Sequence, residues 1–130
     1  MAKIGKLETS TVYEAEDFVG RYEDLDGTTV GFEAYLQDAD PAPLFQGLPD
    51  DRCQCPHWGV VVKGTLVYRL ADGTESVIGA GEAYSVGPGH LPLFTAGTEV
   101  IEFSPTDEFT KTVDVVMANL AAMTAAGASS

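Results

Sequence analysis

Turn residues recur so closely after position 56 that only short strands fit between them. Lys63-Gly64, Ala71-Asp72-Gly73-Thr74, Gly79-Ala80-Gly81 and Gly87-Pro88-Gly89 separate runs at 58–62, 65–70, 75–78, 82–86 and 90–95, and a last run covers 98–103. Asp-Gly is the pair favoured in tight hairpins, because glycine reaches positive φ without strain. Short strands at near-regular spacing imply an all-β, antiparallel sandwich or barrel.

The flanks are less regular. A short strand is expected around Thr11 to Tyr13, and Glu23-Asp24-Leu25-Asp26-Gly27 reads as a turn. From Thr29 to Gln37 the residues alternate, with Val30, Phe32, Ala34 and Leu36 on one face of a half-buried strand. The run 38–52 is rich in proline and glycine, as in Asp-Pro-Ala-Pro and Leu-Pro-Asp-Asp, and reads as a loop that covers a pocket. Ser104-Pro105 closes the sheet. Thr106 then serves as N-cap of a helix with Asp107 and Glu108 in its first turn. Phe109, Val113, Val116, Leu120 and Met123 have helical spacing and form a stripe for packing on the outside of the barrel. The organisation is one domain: 1–27 an N-terminal extension and edge strand, 28–105 the barrel, 106–130 a helix and frayed tail.

Twenty acidic against seven basic residues give a net charge of -13. Such a surface repels phosphate backbones and anionic lipid, which argues against a nucleic-acid or membrane-surface role. The two cysteines stand in a Cys-x-Cys pair, poorly placed for a disulfide on an extended strand. With no signal-peptide pattern and no apolar run long enough to span a bilayer, the simplest location is the cytoplasm, with both thiols reduced.

Cys53, Cys55 and His57 sit at every second position, so on a strand they share one face. His90, the other histidine, follows the Gly87-Pro88-Gly89 turn and is their natural partner. Thiolate with imidazole favours zinc, with iron as the lesser alternative. Four protein ligands would close the site, and three would leave a position open. Positions i and i+4 on a straight strand lie about 13 Å apart, too far for one metal. Pro56 marks a bend that would close this gap; if the strand is straight, one cysteine is not a ligand. For Cys55 the rival role is simple core filling. Tyr35, Trp58, Tyr68, Tyr84, Phe94 and Phe103 are barrel filling first and substrate-stacking walls second. Glu33 and Glu102 lie inside strand patterns, either as pocket acids with raised pKa or as outward charges. Tyr35, Trp58, Tyr84, Phe94 and Glu102 make up the candidate substrate pocket.

Residues 53 to 106 resemble the cupin superfamily in its small single-domain form. Its first motif is His-x-His, three or four residues, Glu, six residues and Gly. Gly64 matches the closing glycine, which puts His57 at the Glu position, Cys53 at the second His and Asp51 at the first. Its second motif is Gly, five residues, Pro-x-Gly, two residues and His. Gly81 and Gly87-Pro88-Gly89 supply the framework, Pro92 stands at the final His position, and His90 falls two residues early with its strand parity kept. The resemblance implies a double-sheet, jelly-roll-like barrel with a rewritten metal-ligand set. Two functional readings stay open: a metal-dependent enzyme acting on a small organic molecule, and a non-catalytic ligand-binding or metal-sensing module. A homodimer is expected, with the N-terminal segment up to Val19 adding to a second subunit's sheet.

Overall fold

The structure is a computed structural model that describes residues 1–128. Nine strands are formed among them: β1 (Thr11–Glu14), β2 (Phe18–Leu25), β3 (Thr28–Tyr35), β4 (His57–Lys63), β5 (Thr65–Arg69), β6 (Glu75–Gly79), β7 (Ala83–Val86), β8 (Leu91–Phe94) and β9 (Thr98–Pro105). A helix, α1 (Thr106–Ala128), follows. The expected fraying of the last two residues, 129 and 130, lies outside the described part. Pairing is antiparallel throughout, in a six-stranded sheet ordered β1-β2-β3-β9-β4-β7 and a three-stranded sheet ordered β6-β5-β8.

The two sheets close on a core of Val61, Leu66, Tyr68, Ile78, Val86, Phe94 and Val100. Tyr35 of β3 stacks flat on Phe94 of β8, with ring centroids 3.6 Å apart, and so joins the sheets from inside. The turn from β4 to β5 needs Gly64: its φ is +79°, and a Cβ there would strike the backbone and hydroxyl of Thr98.

Three expectations from the sequence are corrected. First, the N-terminal strand has a partner in its own chain: β1 pairs with β2, and Glu23 to Leu25 belong to β2, leaving Asp26-Gly27 as the turn. The hairpin was hidden because Glu and Asp are poor strand signals. Second, Val30 is buried as expected, but from Phe32 onward β3 turns its other side to the interior. Tyr35 and Glu33 point inward, whereas Phe32 and Ala34 lie on the opposite side and Leu36 is exposed. Apolar alternation misled here because the inner residues are polar groups satisfied by one another, with the Tyr22 hydroxyl 2.6 Å from Glu33 Oε2. Third, only the first part of the helical stripe is covered. Phe109 and Val116 pack on a second cluster of Phe45, Cys53 and Cys55, while Leu120 and Met123 stay exposed.

The run 38–52 is tightly built. It holds two short 3-10 turns, Ala42–Phe45 and Pro49–Asp51, and buries Phe45. Asn119 of α1 donates through Nδ2 to the carbonyls of Leu44 and Gln46, both at 2.8 Å. No described helix is long and apolar enough to cross a membrane.

Candidate metal centre

Cys53, His57 and His90 come together at the end of the barrel beneath α1. One ligand atom from each lies within 4.8 Å of the others, and all three residues are buried. Backbone pairing sets two of them side by side: Cys53 N donates to His90 O at 3.0 Å, and His90 N to Cys53 O at 3.3 Å. The third arrives because the chain is not a strand between Gln54 and Pro56; β4 begins only at His57. Proline lacks the N–H that a ladder would need there. The chain therefore bends, and Cys53 Sγ stands 3.6 Å from His57 Nε2.

That bend also separates Cys55 from the group. Its thiol donates to Pro56 O at 3.5 Å and shares a hydrogen bond with the Ser104 hydroxyl, amid Phe45 and the helix residues. The single face expected for Cys53, Cys55 and His57 does not form, because strand periodicity stops at the bend. Both cysteines are free thiols.

Each imidazole is fixed through Nδ1. His57 Nδ1 is 2.7 Å from Ser104 Oγ and 3.3 Å from Glu102 Oε1. His90 Nδ1 donates to Gly87 O at 2.6 Å. With Nδ1 as the donor, each Nε2 keeps its lone pair, the form in which histidine binds a metal. Burial pushes both imidazoles down to about 4, helped at His90 by the nearby His57, so both are neutral at ordinary pH. Burial likewise raises the thiols, Cys53 to about 11 and Cys55 to about 12. The donor set of one sulfur and two imidazoles fits a borderline-soft divalent ion such as zinc.

Above the triad the inner wall is acid and phenol. Glu102 accepts from the Tyr68 hydroxyl at 2.8 Å and from the Tyr84 hydroxyl. Burial raises its carboxyl above the usual range, and burial with the neighbouring Glu102 pushes Glu33 up to about 8. Gly59, level with Tyr84 in the register, leaves room for that ring: a Cβ there would lie 2.6 Å from the Tyr84 hydroxyl.

Of the candidate pocket residues, Tyr35, Tyr84, Phe94 and Glu102 line the interior. Trp58 does not. It is 49% exposed on the outer face beside Phe103, since the residue after an inward His57 must point outward. The residue missed from the sequence is Ser104, seen there only as a sheet terminus; its signal was its position two residues after Glu102 on the same strand face. Among the described residues, surface grooves lie between β1, β2 and α1 and on the outer face of the large sheet, and neither is lined by Cys53, His57 or His90.

By sequence the chain matches no protein-family profile and no curated protein. By structure it is similar to ectoine synthase from P. lautus, with a TM-score of 0.56 and 10% identity over 81% of this chain and 78% of that one. The polyketide cyclase RemF from Streptomyces resistomycificus gives 0.55 and 13% over 81% and 79%. A protein of unknown function from Rhizobium leguminosarum gives 0.55 and 16% over 80% and 94%. The chain folds as a cupin barrel. Identities this low speak to the fold alone. Within that cupin barrel Asp51, at the first His position of the motif, is exposed and accepts from Gly47 N at 3.0 Å. Pro92, at the last, is buried in β8.

Proposed function

We propose that this small cupin holds a divalent metal, zinc before iron, through Cys53, His57 and His90, and acts on or holds a small organic molecule beside it. The observation that carries this is the convergence of three buried donor atoms within 4.8 Å of one another. The tethering of both Nδ1 atoms supports it, since outer partners of this kind orient metal-bound histidines. Cys55 lies apart from the three, which favours three protein ligands with a position left over. Zinc there would supply a Lewis acid able to polarise a carbonyl. Glu102 would exchange a proton with a molecule next to the triad, a reading supported by the hydrogen bonds with which Tyr68 and Tyr84 hold its Oε2.

A second reading, a non-catalytic metal-sensing or ligand-binding module, is favoured by the filling of the interior. Tyr35 stacked on Phe94, and Tyr68 against Tyr84, occupy space that a substrate would need. Elemental analysis of protein purified without added metal tests the shared premise. One zinc or iron per chain is the expected result, and a metal-free protein that stays metal-free on titration with zinc refutes it. Cobalt substitution then separates the readings, because a water-exchangeable position alters the cobalt spectrum when small carboxylate or thiol ligands are added and a closed shell does not.

A further inference from the structure

Among the described residues, Glu33 is a buried acid with no cation to meet it. It faces Tyr22 of β2, Tyr35 of its own strand, Glu102 of β9, Tyr84 of β7 and the thiol of Cys53, all neutral or acidic groups. The seven basic residues are placed elsewhere. Lys3, Lys6, Lys63 and Lys111 are exposed. Arg21 pairs with Glu14 and Arg69 with Asp40, while Arg52 donates to the carbonyls of Arg69 and Gly89. Glu102 has the imidazole of His57 at 3.3 Å. Glu33 has the Tyr22 hydroxyl on Oε2 and, among the described residues, no donor on Oε1. Ionising a buried carboxyl without a counter-charge is costly, and burial with the neighbouring Glu102 pushes Glu33 up to about 8. An ammonium group supplied by a ligand would offset that cost.

The way in has the same charge. The groove between β1, β2 and α1 has a volume of about 320 Å³, at the small end of sites for organic molecules. Glu23, Asp24 and Asp114 line it, and no basic side chain does. Glu23 accepts from Ser10 and Asp24 from Gly27 N, both neutral donors, so neither charge is cancelled. Tyr13 and Phe109 line it too, each ring packed against Tyr22 at 5.8 and 5.4 Å. Carboxylates beside aromatic faces are the chemistry that recognises an organic cation. Tyr22 is the partition between groove and interior, with its ring in the groove wall and its hydroxyl 2.6 Å from Glu33 Oε2. Gly20 and Gly31 leave room for that ring, since a Cβ there would lie 2.6 Å from its hydroxyl and 2.8 Å from its edge.

We infer that the small molecule held in this barrel is an organic amine, which enters by the groove between β1, β2 and α1, turns Tyr22 aside and seats its ammonium group on Glu33. This rests on the barrel holding a small molecule and names the class of that molecule. Nitrogen-15-labelled protein of measured metal content should be titrated with benzylammonium, benzyl alcohol and benzoate, three probes of one shape and different charge. Benzylammonium should bind about 10-fold or more tighter than benzyl alcohol, the scale of one charge-assisted hydrogen bond, and benzoate weakest. The amide signals that move should include those of Tyr22, Glu33 and Asp114. Binding should tighten as pH rises towards 8, where Glu33 gives up its proton. Glu33→Gln should lose the preference for the amine, and Tyr22→Phe, which keeps the charge, should retain it. Benzoate bound as tightly as benzylammonium, no benzylammonium binding, or an unchanged preference in folded Glu33→Gln overturns the inference. Should Glu33→Gln not fold, a pH-independent affinity in the wild type overturns it. A protein that prefers benzylammonium but never takes up zinc sustains the amine site and refutes the metal. One that takes up zinc and shows no preference refutes the amine site alone.

Discussion

The sulfur of Cys53 lies 3.6 Å from Nε2 of His57, four residues along the chain. On a straight strand the two would be about 13 Å apart. The bend at Gln54 to Pro56 thus creates the contact, and it does so while leaving the other nitrogen of His57 on Ser104.

Metal content should follow that geometry. His57→Ala and His90→Ala should each abolish loading, whereas Cys55→Ser should retain it. Ser104→Ala, which removes the hydroxyl at Nδ1 of His57, should weaken zinc affinity by about 10- to 100-fold. Competition with a chromophoric chelator measures all four. Equal zinc affinity in the wild type and both histidine variants would show that the triad holds no metal.

Loading should also release protons. Burial raises the Cys53 thiol to about 11, so it is protonated before metal arrives and must give up its proton to bind. Calorimetric titration in buffers of different ionisation enthalpy should report about one proton released per zinc near neutral pH. Affinity should fall as pH falls.

The metal-free protein should be acid-sensitive through the same histidines. Their folded values are lowered from 6.5 to about 4, so between those limits the unfolded chain binds more protons than the folded one. Stability present above about 6.5 is lost as pH drops through about 4. A double His57→Gln, His90→Gln variant should show a shallower loss across this window in urea unfolding.

Glu33 works in the opposite sense. Its folded value rises from 4.5 to about 8, so the folded state holds the proton longer than the unfolded chain does. Stability is full below 4.5 and lost as pH rises through about 8. Glu33→Gln keeps an acceptor for Tyr22 and has no charge to bury. Its melting temperature should exceed that of the wild type at alkaline pH by more than it does in acid. A constant difference at all pH values would mean that Glu33 binds its proton equally well in the folded and the unfolded chain.

Gly59→Ala tests the packing of the inner wall. The added methyl would sit 2.6 Å from the Tyr84 hydroxyl and 2.8 Å from the Ile101 carbonyl, and that carbonyl is backbone that cannot swing away. Overpacking of this kind costs about 1–3 kcal/mol, readable as a lower denaturation midpoint.

The barrel was legible because glycine-rich turns punctuate it: Gly64 and Gly81 stand at positive φ as the motif framework requires. The triad was legible as residue types but not as geometry. Strand parity put Cys53, Cys55 and His57 on one face, and a proline broke that parity for a reason that periodicity does not encode. Parity applied one residue further would have placed Trp58 outside. The β1–β2 hairpin and the inward face of β3 were hidden for one cause: their polar side chains, such as Tyr22 and Glu33, satisfy one another across strands, and pairing at that range leaves no local pattern.

Asn119 adds a polar tie between α1 and the run 38–52, which already meet through Phe109 and Val116 in the cluster of Phe45. Its amide donates to the carbonyls of Leu44 and Gln46 in that run, while Phe109 and Val116 on the same helix rest against the Cys53 and Cys55 layer. The layer over Cys53 is therefore built jointly by the helix and the run 38–52. Both hydrogen bonds of Asn119 have to part before the two can separate there. One side chain thus spans segments seventy-five residues apart in sequence and fastens the cover of the buried cysteine layer.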